Sequence, residues 1–271
     1  MDLKKLQNID RRIIYVLLIL VTAVPMIRPL AIPLTVNPGT EKFYDIINSI
    51  PAGERVLLSL DYSVGGSPDV HPQAVAIVKH LVEKGVGVVF ISFWDVGPMF
   101  GVQLIRPYEN EGYEYGVHFA NLGYIPGGES AIKRFGEDVA GQVTRDFRNN
   151  DVSSLPIMQG VKDTRDFAAV ICFSSGDPGV QEWVRQVQGP LGITLLAGAV
   201  TVNVPQYMPF VNAGQVQAML AGLRGAAEYE TIMGNPGPAV AKMDAQSLGH
   251  VVIILFILIG NLAYFLDRKE N

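Results

Sequence analysis

The chain has 271 residues, 49% of them hydrophobic, and carries 21 Lys+Arg against 26 Asp+Glu for a net charge of −5. That balance argues against nucleic acid as a partner, because no basic surface is available to neutralise phosphates. The single cysteine, Cys172, excludes an intrachain disulfide and a cysteine-based zinc cluster.

The apolar excess sits at the two ends. Ile13 to Ile27 reads IIYVLLILVTAVPMI without a charge, and apolar character resumes after Arg28 through Leu30, Ile32 and Leu34. A membrane span over 13–34 is expected, with Arg28 snorkelling to the far interface. A cleaved signal peptide is the competing reading; the lack of a small-x-small cleavage site favours a retained anchor. A second span is expected over 248–266, LGHVVIILFILIGNLAYFL, which ends on a tyrosine and basic residues. Lys4, Lys5, Arg11 and Arg12 precede the first span, and Arg268 and Lys269 follow the second. The excess of basic residues on these tails predicts a two-pass protein of the cytoplasmic membrane, with tails 1–12 and 267–271 cytoplasmic and 35–247 extracytoplasmic. That central region holds 22 acidic and 14 basic side chains, a net of −8, which also disfavours tight docking on anionic lipid.

Within 35–247, Thr40 is expected to start an entry helix packed through Phe43, Ile46 and Ile47. Arg55–Leu60 is predicted to be a buried strand, Pro72–Lys84 a helix with proline at its first position, and Val86–Ser92 the next strand. Such a βαβ unit implies parallel strands and a right-handed crossover. Val117–Leu122 is predicted as a short strand, and Glu129–Gly136 as a helix. Phe167–Phe173 and Ile193–Ala199 read as further strands, with helices over Gly179–Val187 and Gln215–Glu228. The fold class expected is α/β, a doubly wound, mostly parallel sheet of about five strands flanked by N- and C-terminal transmembrane helices.

In an open α/β sheet, ligands bind outside the carboxyl ends of the strands. The residues expected on that rim are Asp61, Tyr62 and Ser63, then Ser92, Trp94 and Asp95, then Asn121, Ser174, Ser175, Asp177, Thr201 and Asn203. The turn DYSVGGSPDVHP lacks both the dinucleotide fingerprint and the P-loop pattern, and it offers no cation to a phosphate. It reads as a corner, with Asp69 capping the following helix. IPGGES at 125–130 is ordinary turn chemistry before a helix. CFSSGDPG at 172–179 is the best local candidate for holding an anion on backbone N–H groups. No nucleophile elbow accompanies it, and no histidine lies where a triad would need one. Cys172 reads as core. His71 could join Asp61, Asp95 and Asp177 in a cation site only if the fold converged them; a solvated acidic rim is the preferred reading. No metal and no cofactor is called for.

Val200–Val211, broken by two prolines, reads as an apolar loop that covers the rim, the bilayer interface or a partner. Tyr207, Met208 and Phe210 are its expected partner contacts. Asn261 is expected to bond another helix inside the membrane.

The order of anchor, entry helix, βαβ unit with an Asp61-Tyr62-Ser63-Val64-Gly65 loop, and terminal span resembles uncharacterised membrane-tethered Rossmann-like domains. It is loosely similar to the extracytoplasmic domains of gliding-motility-type ABC transporter auxiliary proteins. The resemblance covers 30–95 and rests on layout. It implies a degenerate glutamine-amidotransferase-like fold without catalytic cysteine and histidine, and a binding or assembly role, and it transfers no functional residue. The expected function is that of a non-catalytic, membrane-anchored accessory or scaffolding subunit. Its expected partners are the bilayer and other subunits of a membrane complex or copies of itself. The alternative is a small-ligand sensor or hydrolase using the acidic rim.

Overall fold

A computed structural model describes residues 10–270; the expected N-terminal tail falls largely outside them. The centre is a six-stranded, all-parallel sheet in the order β3-β2-β1-β4-β5-β6. Its strands are β1 (Arg55–Asp61), β2 (Gly87–Ser92), β3 (Phe119–Tyr124), β4 (Ala169–Ser174), β5 (Leu195–Ala199) and β6 (Ala218–Ala221). This is Rossmann-like topology, in which the order reverses between β1 and β4.

The principal helices are α1 (Arg11–Ile27), α2 (Pro38–Ser49), α3 (Ser67–Glu83), α4 (Gly97–Asn110), α5 (Gly128–Glu137), α6 (Val180–Trp183), α7 (Val204–Asn212), α8 (Gly222–Ile232) and α9 (Pro238–Glu270), with two one-turn helices at Val139–Gln142 and Gly189–Leu191 besides. A π-turn, Val184–Gln188, continues α6. The strands are near-continuous apolar runs because helices cover both faces. Leu57, Val170, Cys172 and Leu195 pack with Trp183 on one face. Val56, Leu58, Ile171 and Phe173 pack with Phe43, Ile77 and Tyr229 on the other.

Several expectations are corrected. The sheet has six strands; β6 lies inside the stretch predicted to be helix, because its pairing with β5 overrides the helix propensity of Ala218-Met219-Leu220-Ala221. Helix α3 begins at Ser67, five residues before Pro72, with Pro68 in its first turn. The entry helix is capped by Asn37, whose side chain accepts the Gly39 N–H. Segment 200–211 is no loop: a 3₁₀ turn, Thr201–Asn203, leads into α7.

At the ends, α1 has 17 residues and stops at Ile27, so the expected span over 13–34 is helical only in its first part. Helix α9 starts ten residues before the expected span. Among the described residues one helix is long and apolar enough to cross a membrane, within Pro238–Leu262. Three buried carboxylates fasten these ends to the domain. Glu230 accepts the N–H groups of Gly237, Ala239 and Val240 at the start of α9. Asp244 accepts those of Leu30, Ala31 and Ile32 just after α1. Glu228 takes the Asn37 N–H and the Thr40 hydroxyl. Each satisfies backbone donors that burial would otherwise leave unpaired.

Candidate functional site

The carboxyl edge at the β1/β4 reversal is where this topology places ligands. Strand pairing sets Asp61 opposite Ser174 there. Alternation along β1 decides each side chain's face. Asp61 turns into the Trp183 side and is fully buried. Its Oδ2 accepts from Ser59 Oγ at 2.5 Å and from Trp183 Nε1 at 3.4 Å, and its Oδ1 from the Phe93 N–H at 2.7 Å. Cys172 Sγ lies 3.7 Å from Oδ2. Burial raises the Asp61 carboxyl to about 6 against these bonds. Burial pushes the Cys172 thiol well above its ordinary value, and the thiol is closed from solvent.

Tyr62 goes to the opposite face, fully buried, and its hydroxyl meets His71 Nδ1 at 2.8 Å. Burial, with Lys242 nearby, lowers His71 to about 4. His80, deeper in α3, meets the Tyr229 hydroxyl at 2.7 Å and is lowered to about 4 by burial and Lys84.

The strand-end serines serve the turns. Ser92 Oγ donates to Leu60 O at 2.7 Å and accepts the Trp94 N–H at 3.0 Å. Ser174 Oγ donates to Gly176 O at 2.8 Å and accepts the Gly176 N–H at 3.2 Å. Asn121 donates to Pro98 O. Tyr207, expected on a partner surface, points inward at 1% exposure, 3.3 Å from the Ser174 hydroxyl. Burial raises its hydroxyl to about 12, against hydrogen bonds from Ser174 and Asn203. Phe210 is half-buried on the core, while Met208 is exposed. Asn261 is exposed on α9.

Ser63 and Ser175 remain half-exposed, and Asp95 and Asp177 exposed. The Ser63 N–H donates to Ser175 Oγ at 2.9 Å, which stitches the two loops across the reversal. Gly66 is required there, because a Cβ would come 2.4 Å from that of Ser175. Asp69 does not cap α3: its Oδ2 accepts the N–H and hydroxyl of Thr201, tying the β5 loop down. What stays open is a crevice of about 300 Å³ between Ser63, Gly66, Asp69, Ser175 and Val202. That is the lower end of the size range for small-molecule sites. The first amides of α3 are spent on the turn itself, the Ser67 N–H on Ser63 O and the Gly66 N–H on Ser63 O and Oγ. Among the described residues no cluster of three His, Cys, Asp or Glu groups forms, so His71 and the rim aspartates do not converge on a cation.

Two tryptophans shape this edge: Trp94 is among the residues expected on the rim, while sequence reasoning missed Trp183 as a site residue. Trp183 roofs Asp61, and Trp94 Nε1 donates to Pro178 O at 2.8 Å. Trp183 carries no local signal beyond being a large side chain in the helix predicted over 179–187.

Fold and edge together define a Rossmann-like α/β domain with a long apolar C-terminal helix. Comparison with protein-family models, curated proteins and solved structures returns no match, so fold and site are read from this chain alone.

Proposed function

We propose that the protein is a non-catalytic, membrane-anchored accessory or scaffolding subunit whose α/β domain binds protein partners. The observation that carries this reading is the closed inner edge: Asp61, Ser92, Ser174 and Tyr207 spend their polar atoms on buried neighbouring side chains and on the backbone. No nucleophile there has an accessible base, which nucleophilic catalysis requires. Helices α1 and α9 lie side by side, with Thr22 3.7 Å from the Cβ position of Gly249, and both carry apolar side chains outward, Ile19 and Leu258 among them. We read the pair as two spans with both tails cytoplasmic, on the strength of the basic residues at the tails.

Native mass spectrometry of the tagged full chain, extracted from its own host in mild detergent, tests this reading. Stoichiometric foreign subunits are expected. A lone chain that carries a small-molecule mass would sink the scaffolding reading and favour a ligand sensor. The crevice at Ser63 and Ser175 supports that second reading. In that case Ser175→Val removes the bound mass.

A further inference from the structure

The exposed apolar side chains of the domain are not scattered. Val64, Met99, Tyr124 and Val202 are 68%, 55%, 43% and 83% exposed. Val64, Met99 and Val202 follow β1, β2 and β5, and Tyr124 ends β3, so all four lie at the carboxyl edge. Met208 and Phe147 lie along the flanks. Val117 alone marks the amino edge, just before β3.

Helix α9 leaves the domain at this same carboxyl edge. It starts beside Glu230, near the end of α8, and α8 runs away from that edge. Met243, one turn further on, and Leu223, at the start of α8, pack on the same cluster of Ala226, Ala227, Ala239 and Val240. The two helices are therefore antiparallel, and α9 climbs toward the edge. Gln73, in the second turn of α3, donates to Gly222 O at 2.9 Å, so the start of α8, and with it Met243, lies level with the first turns of α3. The step from Met243 to Leu248 is about 8 Å, so the apolar stretch begins close to the edge.

That leaves no spacer. A hydrocarbon core of about 30 Å takes up the whole of 248–266, which span about 28 Å, and the headgroup layer adds about 5–7 Å on each side. On the other arm, Asp244 grips the chain within five residues of α1.

We infer that the carboxyl edge of the sheet rests on the bilayer, with Val64, Met99 and Val202 in the headgroup layer of a zwitterionic membrane. The inference builds on the reading that α1 and α9 enter the membrane. Charge selects the lipid: the loops 61–69, 92–99, 174–179 and 199–204 contain no Lys or Arg, while Asp95 and Asp177 are exposed on them; Arg224, after β6, is paired with Glu228, and Arg28 stands at the end of α1. Anionic headgroups are repelled, and choline or ethanolamine headgroups meet these carboxylates. The tether makes the contact intramolecular, so three side chains suffice. In this arrangement the Ser63–Ser175 crevice opens toward the lipid surface.

The test uses the full chain in phosphatidylcholine vesicles. A bimane label is placed singly at Val64→Cys, Val202→Cys, Val117→Cys or Ile254→Cys; lipids with a nitroxide near the headgroup act as quencher for the first three, and lipids with a nitroxide on the acyl chain for the fourth. Cys172 is buried and stays unlabelled in the folded protein. Quenching at positions 64 and 202 is expected to exceed that at 117 by roughly twofold or more, as interfacial burial requires. Equal quenching at 64, 202 and 117, with position 254 quenched, overturns the resting edge and leaves the spans standing. An unquenched label at 254 overturns both. Anionic phosphatidylglycerol is expected to lower quenching at 64 and 202; a rise would overturn the assignment to zwitterionic lipid.

Discussion

The two edges of the sheet are built on opposite plans. At the amino edge the chain turns through exposed, charged segments: Glu54, Glu83, Glu111 and Glu114 face solvent, and Lys84 donates to Asn48 O. Its larger cavity, about 340 Å³, is lined by Gly53, Arg55, Tyr113 and His118. Arg55 is already committed there, to the carbonyls of Ile157 and Gln159. At the carboxyl edge Asp61, Ser92 and Ser174 turn inward, and Val64, Met99 and Val202 stand exposed at the tips beside Asp95 and Asp177. The difference teaches that polar strand ends do not by themselves make a site: a serine or aspartate there can be consumed in folding the edge, and the exposed remainder then carries the function.

The comparison can be broken most forcefully at Asp61. Asp61→Ala leaves the buried Phe93 N–H without an acceptor and strips a partner from Ser59 and Trp183, for an expected loss of about 3 kcal/mol. Asp61→Asn keeps an acceptor and is expected to lose much less. Urea unfolding followed by tryptophan fluorescence reads both, because the chain's two tryptophans stand at this edge. If the two variants proved equally mild, the carboxylate would not organise the edge.

A pair of glycines sharpens the contrast. Gly66→Ala drives a Cβ into Ser175, for about 2 kcal/mol of overpacking. Gly53→Ala at the amino edge meets nothing within 4 Å and carries only the strain of a positive φ, about 1 kcal/mol. The reverse ranking would contradict the close stitching of the carboxyl edge.

Acid sensitivity comes next. His71 and His80, ordinarily at 6.5, fall to about 4 in the fold, so between those values the unfolded chain binds two more protons and stability rises with pH. Asp61 is raised from 3.8 to about 6, so over that window the folded chain holds one more proton, and its contribution falls as pH rises. The balance is one proton, a slope of up to about 1.4 kcal/mol per pH unit between pH 4.5 and 6. Asp61→Asn removes the opposing group and is expected to steepen the slope toward about 2.7 kcal/mol per unit. Unfolding series at pH 4.5, 5.2 and 6 measure it; an unchanged slope would show that Asp61 keeps an ordinary titration.

The smallest effect on stability belongs to the tips. Val64→Asp with Val202→Asp is expected to change unfolding in detergent by less than about 0.5 kcal/mol, because neither side chain packs. The same change lowers lipid quenching at a label on Met99→Cys. A large loss of stability in detergent would mean that these tips belong to the core.

Much of this was legible beforehand. The runs at β1, β2, β4 and β5 and the turns after them announce a parallel sheet, because strands buried on both faces must be apolar throughout. The four-residue β6 was not legible, since Ala-Met-Leu-Ala suits a helix and only β5 makes it a strand. Segment 200–211 misled for a related reason: its prolines, Pro205 in the first turn of α7 and Pro209 within it, forbid a central strand, yet a helix accommodates them and turns Tyr207 inward. The rim residue types were legible, but their directions were not.

The sequence by itself determined the class of the domain, its acidic charge and its apolar ends, because burial periodicity and composition are local properties of the chain. Tertiary structure alone decided that Asp61 and Tyr62 are buried on opposite faces, that Glu230 and Asp244 lock both apolar helices to the domain, and that these helices leave at the edge bearing Val64 and Val202. Those outcomes depend on register and on packing between segments about 200 residues apart, where the energy lies in satisfying buried donors and carboxylates rather than in any local pattern.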